Sequence, residues 1–158
     1  MEPRDLSLTL SSADATTRLA KSLAPRLGAG DVLLFTGDIG AGKTHFARAL
    51  IQSLLPTPKD VPSPTFTLVQ IYEVHQFEIW HADLYRLSSP DEVVELGLTD
   101  AFSDALCLVE WPDRLAELAP LSALSISMCM TDDLGQRLLT FSWSDPKWTQ
   151  KLAGLNDG

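Results

Sequence analysis

The run Gly37-Asp38-Ile39-Gly40-Ala41-Gly42-Lys43-Thr44 fits the pattern G-x-x-x-x-G-K-[ST] at every fixed position. Residues of these types at this spacing can grip a polyphosphate. Such a ligand needs converging backbone N–H groups, the positive end of a helix, one ammonium and a hydroxyl for magnesium. Glycines at 37, 40 and 42 allow backbone angles that side chains forbid, so Asp38, Ile39, Gly40, Ala41 and Gly42 can wrap the phosphates closely. Lys43 would reach the outer phosphates and Thr44 would ligate Mg2+. The bland alternative is a glycine-rich turn without a ligand.

Hydrolysis of a bound nucleotide also needs an acid at the end of a buried strand, to hold the magnesium shell, and a group that orients water. Two stretches offer one. Leu106-Cys107-Leu108-Val109-Glu110 is four apolar residues ending in a carboxylate, the shape of a Walker B strand with Glu in place of Asp. Trp80-His81-Ala82-Asp83 puts His81 and Asp83 on one face of a strand by its two-residue period. Either Glu110 or Asp83 is expected near the metal. His81 is as compatible with a structural hydrogen-bond pair as with a catalytic one. Trp80, out of phase with His81, is expected in the core, whereas Trp111 fits either core packing or shielding of the site. Arg86 is expected in a surface ion pair.

These groups need elements to position them. Asp31-Val32-Leu33-Leu34-Phe35 is an apolar run of strand length that feeds the glycine loop, as a buried parallel strand would. After the loop, Phe46, Ala47, Leu50, Ile51 and Leu54 recur at helical spacing, which predicts a helix from Lys43 to Leu55. Further strands are expected at Leu6–Thr9, Thr65–Tyr72, Phe77–Leu84, Ala105–Glu110, Leu124–Met130 and Arg137–Trp143. The second and third of these, joined across Glu73–Gln76, should pair antiparallel and make the sheet mixed. Helices are expected from Ala13 to Ala24, capped by Ser11-Ser12 and ended by Pro25. Others are expected after Ser89-Pro90, ending near Gly97, and from Pro112 to Leu118. Four prolines between Pro56 and Pro64 mark a surface loop. The expected architecture is a single α/β domain over 1–143, with a central, mostly parallel but mixed sheet flanked by helices, and a polar tail, Ser144–Gly158, able to fray.

Composition narrows the functional classes. Twelve basic against 21 acidic residues give a net charge of −9, which would repel nucleic acid, so DNA is not an expected ligand and any RNA would be held by a partner. No apolar stretch reaches membrane-spanning length, and the N-terminus lacks a signal-peptide pattern, so a cytoplasmic protein without membrane contact is expected. Cys107 and Cys129 lack metal-ligand partners and are expected as buried, reduced thiols. The sole asparagine, Asn156, leaves no N-K-x-D guanine motif, and the glycine order does not fit G-x-G-x-x-G. Adenine nucleotide is therefore the default ligand.

Several motifs together resemble one family, the small bacterial P-loop ATPase TsaE (YjeE) of tRNA threonylcarbamoyladenosine formation. They are the Gly37–Thr44 run with Arg48 after it, Ser63-Pro64-Thr65-Phe66-Thr67-Leu68, His81-Ala82-Asp83-Leu84-Tyr85-Arg86, Glu95-Leu96-Gly97-Leu98 and Val109-Glu110-Trp111-Pro112. They span about Val32 to Pro112. Ile39 and Phe66 stand where leucine and tyrosine are usual. The resemblance implies that Thr44 and Glu110 coordinate Mg2+, that Asp83 supports hydrolysis of ATP as a water-orienting base, and that the segment around Thr65 responds to the nucleotide. It further implies an arginine, here Arg137, near the nucleotide, and a base-bordering strand end at Leu10 and Ser11. Its implied partners are TsaD and TsaB, which would handle the tRNA while ATP hydrolysis resets their complex.

Two rival functions fit the same loop. A small-molecule P-loop kinase needs a lid with clustered arginines, and the seven here, at 4, 18, 26, 48, 86, 114 and 137, are scattered. A pure ATP-binding module would need no chemistry beyond Lys43 and Thr44.

Overall fold

The computed structural model describes residues 4–37, 42–57, 59–64 and 67–155. In chain order the elements are β1 (Arg4–Leu10), α1 (Ala13–Leu23), β2 (Val32–Gly37), α2 (Lys43–Leu54), β3 (Val69–Glu73), β4 (Glu78–Asp83), α3 (Pro90–Glu95), α4 (Leu98–Asp104), β5 (Leu106–Glu110), β6 (Leu124–Met130), β7 (Arg137–Trp143) and α5 (Pro146–Lys151). Among the described residues the strands form one seven-stranded sheet, ordered β1-β7-β6-β2-β5-β4-β3. β2 runs parallel to β5 and β6, and β4 parallel to β5; the β3–β4, β6–β7 and β1–β7 pairs are antiparallel. The protein is thus an α/β domain with a mixed sheet flanked by helices.

The two-residue period of the central strands sorts the core into two layers. Leu33, Phe35, Leu106 and Leu108 face a cluster completed by Leu19, Leu23, Phe46, Leu50 and Trp148. Val32, Leu34, Cys107 and Val109 face the opposite cluster, completed by Val93, Leu98, Ala101 and Leu115. Ser12 caps α1 by accepting from the Ala15 N–H, and Pro25 sits in a 3₁₀ turn, Ala24–Arg26, that closes it.

Four expectations need correction. The strand expected from Thr65 starts only at Val69, because Leu68 takes a left-handed φ of 70° and its N–H bonds the Pro64 carbonyl at 2.7 Å. α4 is absent from the sequence expectation, since Gly97 reads as a stop; with φ 84° it ends α3 and starts α4 at once. The short helix expected over Pro112–Leu118 is present, as a 3₁₀ helix broken at Ala116 (φ 48°, ψ −126°). Trp80 is half-buried against Gly97, with Nε1 donating to Glu78, and Cys129 is likewise only half-buried. Cys107 lies in the core, where burial, and then Asp104, push its thiol up to about 12.

The expected polar tail is a docked element. α5 buries Trp148 completely, its Nε1 donating to the Ser122 carbonyl at 2.7 Å. Lys147 and Lys151 both pair with the buried carboxylate of Asp31, just before β2. Trp148→Ala should cost about 3–5 kcal/mol, the usual range for emptying a large aromatic site. Urea unfolding would register it as a lower midpoint at unchanged slope.

Candidate functional site

Parallel pairing brings the carboxyl ends of β2, β4 and β5 to one edge of the sheet, where open α/β sheets bind ligands. The register sets Asp83 opposite Glu110, and Glu110 opposite Phe35, two residues before Gly37. The antiparallel wing continues the same edge: Gly37 lies opposite Met128, and Arg137 lies opposite both Met130 and Leu10. Ser11 follows Leu10 directly. The fold therefore gathers Ser11, Gly37, Asp83, Glu110 and Arg137 along one rim, with Ser11 and Arg137 on the wing away from the two acids. Arg137 donates to the Gln136 carbonyl at 3.0 Å. Asp38, Ile39, Gly40 and Ala41, like Thr65 and Phe66, lie outside the described residues.

Glu110 is the hub. Its Oε1 accepts from Thr44 Oγ1–H and its Oε2 meets His81 Nε2, each at 2.7 Å. Glu110 and His81 are buried. From sequence, His81 shares a strand face with Asp83, yet its hydrogen bond crosses to the neighbouring strand. The carboxylate of Asp83 is turned to its own loop and accepts from the Tyr85 N–H at 3.0 Å, while the Asp83 N–H donates to Leu68 at 2.9 Å. The segment that follows Pro64 is thereby tied to the acid.

Lys43 opens α2 and is 94% shielded from solvent; Nζ donates to the Gly37 carbonyl at 2.8 Å and lies 4.0 Å from the centre of the Trp111 ring. A cation needs such partners when withdrawn from water. Trp111 reaches it because its backbone is left-handed, φ 60°, a sparsely populated state for a large side chain. Tyr85 also packs against the Trp111 indole, ring centres 4.8 Å apart, and Arg114 holds the Tyr85 carbonyl at 3.2 Å. Trp111 therefore both packs against the core and covers Lys43. Nothing in residue order signals that contact, since a left-handed tryptophan is not legible in sequence. Two further links are likewise absent from the sequence expectation. His45 Nε2 meets Thr17 Oγ1 at 2.9 Å, joining α2 to α1, and Arg48 Nε donates to the Val61 carbonyl at 2.9 Å, holding the proline-rich loop. Beside that loop Tyr72 has its hydroxyl pushed up by burial, partly offset by Arg48.

A buried ammonium, a hydroxyl and a carboxylate converge where β2 leads into α2. That set suits an anionic oxygen ligand accompanied by a hard cation. Among the described residues no three His, Cys, Asp or Glu form a metal cluster. Two protein oxygens, Thr44 Oγ1 and Glu110 Oε1, could still hold Mg2+, a metal that commonly takes one or two protein ligands and fills the rest with phosphate and water.

A model of the family described as "Threonylcarbamoyl adenosine biosynthesis protein TsaE" matches residues 10–138. The TsaE protein of Rickettsia bellii is 40% identical over 124 residues, 78% of this chain and 86% of its own length. That of Bacillus subtilis is 37% identical over 130 residues, 82% of this chain and 80% of its own. Among solved structures, Bacillus subtilis YdiB superposes with a TM-score of 0.78 at 26% identity, covering 98% of this chain and 96% of that one.

Proposed function

The chain belongs to the TsaE family of tRNA threonylcarbamoyladenosine biosynthesis proteins, and from that membership we propose that it binds Mg2+-ATP and hydrolyses it, slowly alone and faster with a TsaD–TsaB complex. The observation that carries this reading is the convergence of Lys43, Thr44 and Glu110 at the β2–α2 junction. Lys43 would leave the Gly37 carbonyl for the outer phosphates. Thr44 and Glu110 would hold Mg2+, which when bound would neutralise phosphate charge. Asp83, one strand over, would orient the attacking water, and Ser11 and Arg137 would border the base. Asp38 to Gly42 would supply the phosphate-binding amides.

The kinase alternative is less well supported. Arg26, Arg48, Arg114 and Arg137 each donate to a backbone carbonyl, so four of the chain's seven arginines have contacts within the fold. With a charge of −9, the chain would leave tRNA to its partners and would not bind DNA. Among the described residues no helix is long and apolar enough to cross a membrane; a cytoplasmic location is part of the proposal.

The test is ADP release from Mg2+-ATP, alone and with added TsaD and TsaB. Stimulation by the pair, lost in Glu110→Ala, is expected. Release that depends instead on a small acceptor would favour the kinase, and a competent pair that leaves the rate unchanged would sink the partnership.

A further inference from the structure

Of the chain's three histidines, His81 alone is fully buried. It sits on β4 opposite Leu108 of β5, so by the two-residue period it shares a sheet face with Glu110. A carboxylate can only accept, so Nε2–H donates to Glu110 Oε2 at 2.7 Å. The other ring nitrogen, Nδ1, is buried without a hydrogen-bond partner. An orphaned buried polar atom costs about 1–3 kcal/mol, and an aliphatic side chain at this core position would avoid that cost. A histidine here thus costs the fold something, and its single polar contact is with Glu110.

We propose that His81 is a positioning residue that fixes the plane of the Glu110 carboxylate by holding one oxygen, so that the other stays presented to Thr44. Both carboxylate oxygens are engaged, one by each partner. Without His81 the carboxylate is free to rotate about its last bond and to leave Thr44. With it, the hydroxyl and Oε1 stay hydrogen-bonded at 2.7 Å, close enough for both to face one cation. This rests on the Mg2+-nucleotide reading above, and it is the kind of outer support that orients a ligating carboxylate. Asp83 is not the partner of His81, so the effect on the metal is separable from any effect on water.

The experiment is calorimetric titration of the full chain with ADP, in Mg2+ and in EDTA, for wild type, His81→Leu, His81→Asn and His81→Gln. Glutamine carries an N–H donor to roughly the reach of Nε2, asparagine stops short, and leucine has none. Leucine and asparagine should lose about 10–100-fold of the affinity gained from Mg2+, while binding in EDTA is unchanged; glutamine should restore the gain. Mn2+ binding to the ADP complex, followed by electron paramagnetic resonance, should rank the variants in the same order. Should leucine fail to fold, the asparagine–glutamine pair decides. An undiminished Mg2+ gain in asparagine overturns the proposal. So does an equal loss in Mg2+ and EDTA, which would make His81 only a pin between β4 and β5. A wild-type chain that binds ADP no better in Mg2+ than in EDTA would instead defeat the magnesium reading, a result distinct from either.

Discussion

Titrated with Mg2+-ADP in a calorimeter, Lys43→Ala is expected to give no resolvable binding at concentrations that saturate the wild-type chain. The ammonium is 94% shielded from water and held by the Gly37 carbonyl and the Trp111 ring. Neither is an anion, so the cation is desolvated without a charge partner among the described residues. A phosphate oxygen would supply one, and a charge-assisted hydrogen bond in a dry site is among the strong ones. Removing one partner of such a pair typically costs about 3–5 kcal/mol, a few hundred- to a few thousand-fold in affinity. Lys43→Arg should recover little, because a planar guanidinium cannot occupy the compact space between Gly37 and Trp111. The fold should tolerate the alanine, since only one hydrogen bond and one ring contact are lost. Tight ATP binding by a folded Lys43→Ala protein would count against the whole nucleotide reading.

Much of this architecture is legible in residue order because local and global signals agree. β6 and β7 occupy the expected residues, Leu124–Met130 and Arg137–Trp143, since each alternates and turn residues separate them. Lys43, Thr44 and Glu110 were also within reach: two belong to one contiguous motif, and the third ends an apolar run. What failed is what depends on pairing between distant segments. His81 stands two residues from Asp83, yet its partner is 29 residues away, because parallel register between β4 and β5 is not written in either strand. The tail misled for another reason. Trp148, Leu152 and Leu155 recur at helical spacing, but polar neighbours dilute them, and the lysines beside them, Lys147 and Lys151, look like solvent-facing charge until Asp31 is found beneath. Ser11 and Arg137, expected only by resemblance, reach the same rim as Gly37 through one parallel and two antiparallel pairings, which sequence spacing cannot reveal.

Gly37→Ala should lower stability far more than Gly42→Ala, though both positions have positive φ, 140° and 103°. At Gly42 a methyl group would meet, among the described residues, only the tip of the Met128 side chain, 3.3 Å away, which can swing aside. At Gly37 it would stand 2.1 Å from the Met128 carbonyl oxygen, which belongs to β6 and is fixed by the sheet. Either the last rung between β2 and β6 breaks or the strand end shifts. Overpacking of about 1–3 kcal/mol adds to backbone strain of similar size, so a loss of roughly 3 kcal/mol or more is expected for Gly37→Ala, against about 1–2 for Gly42→Ala. Thermal melts of the two variants, read against wild type, provide the comparison. The same shift would displace the start of the proposed phosphate-binding run, so Gly37→Ala should weaken ADP binding even where enough folded protein remains to titrate. Equal melting points for the two variants would mean that the approach to Met128 is not what requires glycine at the end of β2.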